Sequence, residues 1–577
     1  MSTRGLEGYY AEELGYLHDL AREFAAAHPD SAHLLADPSA DPDVERLLEG
    51  LAFLTARLRG RLDDQMPELT QTLVEGIWPA LLRPAPSATV IAFEPHAAAY
   101  RQVVDIPAGT MLRAREIEGT RCRFRTAWPL AVVPYRVDGA EWRRDSRSEL
   151  RIQLAPLGAT PAALGAHRLR FYCYGDPAVA LALRHACTGL ATGVQVVTPS
   201  GVHELGPNSL TANGFAADEA LLPEADRSLA PLRLMQEYFC YREMFRFVEF
   251  DLSSVAPALA TAEPFELVIQ LSDMPEPAPP IGADNLVLNC VPAVNCFPHA
   301  ADPMALDHRE LEYRVHALDD GEGELHVHSV TAVTVLPDGG GAAISVVPAS
   351  HRIGGDRDGF WFQVLRRPAM VGVHQDLFLS VSVPPAQLGT RGVLSIDALC
   401  TNGAAAERLG VGDVCVATSE VPPTVQFRNI VRPGPERLPP LGATLHWRYA
   451  TQLDLHHHSI ADRDRFVAML DCYDLPALLD QRERERHRRI VDAIDSFTCA
   501  PTTVYHHGAA LPGLAIELVA SEDAFGGDGG LHLFGCVLER FCALYASINA
   551  ATQLSLRARR SGRSWTFPAR SGGASLL

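Results

Sequence analysis

Arg83-Pro84-Ala85-Pro86-Ser87-Ala88-Thr89-Val90-Ile91-Ala92-Phe93 is where the chain changes character. Pro84 and Pro86 cannot sit inside a helix. Thr89–Phe93, a short apolar run rich in β-branched and aromatic residues, reads as a strand. The residues before this junction are helical in pattern and those after it are β-like, so the junction sets the fold class.

Upstream, Tyr10, Leu14, Leu17, Ala21 and Phe24 step by three and four along one helix face, and Pro29 follows as a breaker. Asp41-Pro42-Asp43 is a start signal: an acid at the N-cap, proline at the first helical position and an acid in the first turn. Val44, Leu47, Leu51, Leu54 and Leu58 then repeat at helical spacing, and a third helix runs from Pro67 through Leu69, Leu73 and Ile77 to Pro79. Three narrow apolar stripes suit helix-on-helix packing. The bundle is either buried within this chain or shared with partner chains, and spacing alone does not separate the two. A shared bundle would leave its stripe exposed in the isolated chain, prone to aggregate without its partner.

Downstream, short strands punctuated by proline and glycine continue to about residue 430. Val103–Thr110 enters a turn. Arg121–Thr126 alternates and should be half-buried. Leu325-His326-Val327-His328-Ser329 alternates after Gly321 and Gly323, and Val393, Leu394, Ile396 and Leu399 mark another strand. Pro433-Gly434-Pro435 and Pro439-Pro440 read as a linker. Beyond it Arg465–Arg489 is helical in composition. Gly526-Gly527-Asp528-Gly529-Gly530 precedes a helix with Phe534, Val537, Leu538, Phe541, Leu544, Tyr545 and Ile548 on one face, and Gln553–Arg557 alternates as a strand. The expectation is a multidomain α+β protein: a helical region over 1–85, β-rich domains over 86–255 and 256–432, and an α+β domain over 433–577.

Composition narrows the function. The chain has 577 residues, 47% hydrophobic and 21% charged, which is ordinary globular usage. A formal net charge of −20 opposes nucleic acid as the main partner, because phosphate binding needs a basic stripe. The start, Met-Ser-Thr-Arg-Gly-Leu-Glu, lacks the apolar core of a signal peptide, and no apolar run reaches the ~20 residues that span a bilayer. Twelve cysteines without a Cys-x-x-Cys are expected to be reduced thiols, many of them buried.

Catalytic motifs are missing: there is no Gly-x-Ser-x-Gly elbow and no phosphate-binding Gly-x-x-x-x-Gly-Lys-Ser/Thr loop. Gly339-Gly340-Gly341 after Pro337-Asp338 marks a loop tip. Among the 22 histidines, His456-His457-His458 is the densest cluster. On a strand only His456 and His458 would share a face, as would His326 and His328, and two ligands fall short of a zinc site. His506-His507 lacks metal spacing. The mixed-sign run Arg482–Arg489 reads as a solvated helix face. No catalytic, cofactor-binding or metal-ligating residue is assigned.

Several segments, in order along nearly the whole chain, resemble the TssF family (also called ImpG or VasA). They begin with Tyr9-Tyr10-x-x-Glu-Leu-x-Tyr-Leu and the helix from Asp41 through Leu58. Trp78-Pro79, Arg83-Pro84 and Phe124-Arg125-Thr126 follow. The fullest match is Gly214-Phe215, Leu221-Leu222-Pro223 and Gln236-Glu237-Tyr238-Phe239-Cys240-Tyr241-Arg242-Glu243-Met244-Phe245, where Arg242 replaces the family's proline. Asn289–Phe297 comes next, with Asn295-Cys296-Phe297 in place of Asn-Leu-Phe, and then Leu399-Cys400-Thr401-Asn402, Trp447-Arg448 and Leu453–Ile460. Phe525-Gly526-Gly527, Leu533-Phe534-Gly535, Leu538-Glu539-x-Phe541 and Tyr545-x-x-Ile548-Asn549 complete the series.

The resemblance implies a structural, non-enzymatic, phage-wedge-like baseplate subunit of a type VI secretion system, without cofactor. It implies a cytoplasmic baseplate docked at the inner membrane. The implied partners are a TssG-like chain, a second copy of this chain, TssK-like and TssE-like proteins, and a spike hub under a contractile sheath. Structural or interface positions singled out in this way are Leu14, Leu17, Leu47, Leu51, Leu54, Trp78, Glu237, Tyr238, Phe239, Phe245, Asn295, Phe297, Asn402, Trp447, Phe534, Phe541, Tyr545 and Asn549. The aromatic ones belong in cores or permanent interfaces, which sequence does not distinguish. Asn289, Asn295 and Asn402 are expected to bond locally in turns. The rival readings are a phage-like or extracellular contractile injection particle, a metal-dependent hydrolase using the histidine clusters, and a β-rich carbohydrate-binding protein.

Overall fold

The computed structural model describes the chain except residues 1–5, 28–41, 64–66, 97–102, 146, 159–166, 207, 223–229, 260–262, 277, 350–358, 370–373, 385–386, 388, 442–461, 507–508, 547–549 and 573–577. It divides into two compact units, one of residues 1–74 and 441–450, the other of residues 75–440 and 451–577.

The first unit is helical. Helix α1 spans Leu6–Ala27, α2 Pro42–Asp63, and α3 begins at Pro67 and runs to Ile77. Pro42 and Pro67 open their helices, where a missing N–H costs nothing. Asp43 and Glu45 lie in the first turn of α2, favoured by its dipole. Helices α1 and α2 pack on each other and are pinned by His18 Nε2 and Glu45 Oε1 at 2.9 Å. Among the described residues of α1 and α2 the buried ones are small, Ala21, Ala52 and Ala56, while α3 buries Thr70, Gln71 and Val74.

The second unit is built on sheets. The strand Ala88–Pro95, read at the outset, lies next to one edge of a six-stranded sheet. The order is Val414–Val416, Met111–Ala114, Arg123–Thr126, Cys290–Val294, Ala88–Pro95, Val425–Asn429. Its residues are buried from Ala88 through Phe93 because the strand serves two cores. Ile91 and Phe93 face one with Leu112, Phe124 and Val291, and Val90 and Ala92 face the other with Trp128 and Phe247. A strand covered on both sides reads as a continuous apolar run.

A five-stranded sheet (Gly201–Glu204, Ala191–Thr198, Phe265–Leu271, Ser148–Pro156, Tyr135–Arg144) and a four-stranded one (Leu210–Ala212, Phe247–Asp251, Arg168–Cys173, Leu286–Leu288) share one core. Leu150, Ile152, Ile269, Phe171 and Phe250 lie in it, with Ala180 and Leu183 of helix α4, Pro177–His185. An eight-stranded sheet comes after these, centred on Gly392–Thr401 and His326–Pro337.

Sequential β-rich domains divided at residue 255 are therefore not what forms. Phe265–Leu271 pairs with Ser148–Pro156 and Ala191–Thr198, and Cys290–Val294 and Val425–Asn429 both pair with Ala88–Pro95. Antiparallel partners are chosen by shape and burial across hundreds of residues, which a linear reading does not register.

Helix α5 spans Ala230–Cys240. The expected single helical stretch over 465–489 is three helices: α6 (Arg463–Tyr473), α7 (Leu475–Leu479) and α8 (Gln481–Asp492). Asp474 and Asp480 break it, each carboxylate accepting backbone N–H groups of the next helix. Ala509–Ala520 and Ala551–Ala558 are parallel neighbours, joined by a crossover through α9, Asp528–Cys542. Gly526 and Gly527 adopt φ of +89° and +95°, as a pre-helix turn requires. Gly529 and Gly530 instead lie inside α9, and a Cβ there would run into the carbonyls of Leu181 and Phe525.

Candidate interaction surfaces

The aromatic residues of the family-like motifs converge inside the second unit. Trp78, Tyr238, Phe239, Phe245, Phe297, Phe534 and Phe541 are all buried. Trp78 meets Tyr473 at 5.6 Å between ring centroids, and Tyr473 meets Phe541 at 5.4 Å. Tyr238 packs on Phe239 at 5.3 Å, on Phe534 at 5.5 Å and on Phe245 at 6.5 Å. Residues from four distant parts of the sequence thus form an internal core, and no face of these rings is left for a partner. Arg242 opens a short 3-10 turn over Arg242–Phe245 and turns back over the Tyr238 ring, 4.7 Å from its centroid, donating to the phenol oxygen at 2.8 Å.

Glu237 is buried and functions as an internal cap. Its Oε1 accepts the backbone N–H groups of Leu221 at 2.8 Å and Leu222 at 3.1 Å, and Arg233 Nε stands 4.0 Å from its Oε2. A buried carboxylate persists only where such donors replace water.

The asparagines bond across the fold, correcting the expectation of local turns. Asn295 Nδ2 donates to Asn402 Oδ1 at 2.8 Å and to the Arg123 carbonyl at 2.6 Å, while Asn402 N–H donates back to Asn295 Oδ1 at 2.8 Å. Asn402 Oδ1 also accepts from Arg123 N at 3.0 Å. This knot joins the strand Arg123–Thr126 to the ends of two others. Arg123 is drawn inward by Asp320, Glu322 and the Phe297 ring, which ends the alternation expected there. Asn289, at φ +56°, pairs with both the N–H and the C=O of Val133. An amide side chain carries one donor and one acceptor group, so it can replace a missing strand partner.

The helical unit differs. Leu14 and Leu17 are half-buried, but Leu47, Leu51 and Leu54 on one face of α2 are 74%, 47% and 57% exposed. Tyr16 and Leu20 of α1 are exposed as well. Alanines make the intrachain helix contact, and the leucine stripe faces outward.

No described group of three or more histidine, cysteine or acidic side chains is arranged to hold a metal. His326 and His328 do not share a face, because a β-bulge between Val327 and Ser329 displaces His328. His328 is buried against Ser329 and the Pro84 carbonyl, and His326 bonds Glu324 and stacks near His374. Trp447, Asn549, His456–His458 and His507 lie outside the described residues, as does the side chain of Tyr545.

Two arrangements had no sequence signal. His487 of α8 sits between Asp471 at 2.8 Å and Asp474 at 2.9 Å. Burial opposes its charge, but the two carboxylates prevail and hold its pKa up at about 9. A cleft of ≈ 1020 Å³ also opens between the π-turn Ala186–Leu190, the strand Leu210–Ala212, helix α9 and the strand Ser564–Thr566.

With this geometry in hand, the family model for "Type VI secretion system, TssF" matches residues 1–574. The chain belongs to the TssF family. It is similar to the type VI secretion system component TssF1 of Pseudomonas aeruginosa, 31% identical over 99% of this chain and 99% of that protein. It is also similar to a chain in a cryo-electron-microscopy structure of the type VI secretion system TssK-TssF-TssG baseplate subcomplex. That match has a TM-score of 0.76 and 28% identity, covering 92% of this chain and 100% of the other. A chain in a structure of the type VI secretion system baseplate complex matches with a TM-score of 0.65 and 27% identity, covering 98% of each. As a TssF-family member of this fold, the chain is a structural baseplate subunit of a type VI secretion system. No described helix is long and apolar enough to cross a membrane.

Proposed function

We propose that this chain acts as a wedge subunit without catalytic activity, binding a TssG-like partner through the outward leucine face of its N-terminal helices. The observation that supports this is the division of apolar surface. The family-like aromatics are consumed by the chain's own core, whereas Leu47, Leu51 and Leu54 remain exposed on one helix face. Exposed apolar stripes of this kind belong to helix-in-helix assembly. Two copies of this chain then share a bundle with one TssG-like chain. The wedge recruits TssK-like and TssE-like proteins, surrounds the spike hub and templates the sheath. The location is the cytoplasmic face of the inner membrane.

Co-expression with the TssG-like protein, followed by size-exclusion chromatography with mass measurement, tests the reading. A complex holding two copies of this chain per partner is expected. A monodisperse monomer that ignores the partner would defeat it.

A further inference from the structure

The cleft beside α9 has an unusual wall. Ser564–Thr566 is paired on one side only, with Ala551–Ala558. Phe567 N–H bonds Leu554 and Ala558 N–H bonds Arg563, so residues 563, 565 and 567 direct their backbone groups into the sheet. By alternation, the N–H and C=O groups of Ser564 and Thr566 point away from it. A second edge that lines the cleft repeats the arrangement. Asp251 N–H bonds Ser209 and Asn213 N–H bonds Phe247, leaving the backbone groups of Leu210 and Ala212 directed outward. Leu210, Ala212, Ser564 and Thr566 all line the cleft. Among the described residues no strand covers either edge.

The charge pattern gives a direction. Buried Glu539 receives both Arg570 and Arg540, one carboxylate for two guanidinium groups. Both arginines also line an adjoining cleft of ≈ 630 Å³ that contains no acidic side chain among the described residues, and Phe215, under Arg540 at 4.2 Å, belongs to both. Glu204 also lines the larger cleft. A cleft walled by strand-spaced donors and acceptors, with two arginines sharing one carboxylate beside it, offers the contacts that an extended peptide makes.

We propose that the cleft takes an extended segment of the TssG-like partner, added as a strand to the Ser564–Thr566 edge with an acidic side chain at Arg540 and Arg570. This is a second contact, separate from the N-terminal helices, and it rests on the wedge reading only in supposing a bound partner subunit. The test is amide hydrogen exchange across residues 560–571 in the free chain and in its complex with the TssG-like partner, together with two variants. Thr566→Pro removes the outward N–H at an edge position that tolerates proline, and Thr566→Val keeps it. Assembly is expected to slow exchange at Ser564 and Thr566 roughly tenfold or more. Thr566→Pro should weaken the complex by roughly tenfold while Thr566→Val leaves it intact, with both variants melting as the parent does. Unprotected amides in a complex that forms normally overturn the inference and leave the wedge reading standing. Failure of the parent chain to form any complex removes that reading, and the inference with it.

Discussion

At the scale of single residues, stability rests on polar groups buried with full partners. Asn295 and Asn402 satisfy each other and both backbone groups of Arg123. Asn295→Leu leaves these buried groups unpaired, which should cost about 1–3 kcal/mol in urea unfolding. Gly529→Ala sets two effects against each other. Helix propensity favours alanine by about 1 kcal/mol. The added Cβ collides with the Leu181 carbonyl, and overpacking of this kind costs about 1–3 kcal/mol, so a lower melting temperature is expected. His487 gives a pH signature. Its pKa is raised from 6.5 to about 9 in the folded chain, so its stabilisation is complete below pH 6.5 and is lost as pH climbs through 9. The parent chain should lose more stability than His487→Gln between pH 6.5 and 9.5, measured by melting temperature. None of these roles was legible in the sequence. The residues stood out there, but their partners lie far off along the chain, and local spacing carries no trace of them.

Elements were more legible. The first two N-terminal helices and the strand at Thr89–Phe93 form where their periodicity placed them, because each writes its pattern into neighbouring residues. The last long helix ends at Cys542, with Leu544 and Tyr545 of its expected face in a 3-10 turn and Ile548 outside the described residues. The strand His326–Pro337 shows the limit. Two bulges, at His328 and Thr331, break its register against Gly392–Thr401, and no residue type announces them. The stripe on α2 was also visible as a stripe, although periodicity could not say what covers it. Within the chain, alanines fill the α1–α2 contact and the leucines do not. Replacing Leu47, Leu51 and Leu54 together with glutamate should therefore leave helix content and melting temperature nearly unchanged, within about 1 kcal/mol, as surface positions allow. Circular dichroism checks this, and the isolated variant should aggregate less than its parent.

For the whole molecule, fold class could be read from the switch at Pro84, but domain boundaries could not. The six-stranded sheet gathers strands from residues 88 to 429, and its strand Ala88–Pro95 serves two cores. In the helical unit, by itself, Tyr16, Leu20, Leu47, Leu51, Phe53 and Leu54 are exposed. The cleft beside α9 was invisible to sequence because it arises between strand edges that only the tertiary fold brings together.

The most direct test of the account is the mass of the complex co-purified with the TssG-like partner, compared between the parent chain and the Leu47→Glu, Leu51→Glu, Leu54→Glu variant. The account predicts two copies per partner for the parent and a folded, partner-free chain for the variant. A variant that assembles as the parent does would contradict the claim that the N-terminal leucine face is where this subunit joins the baseplate.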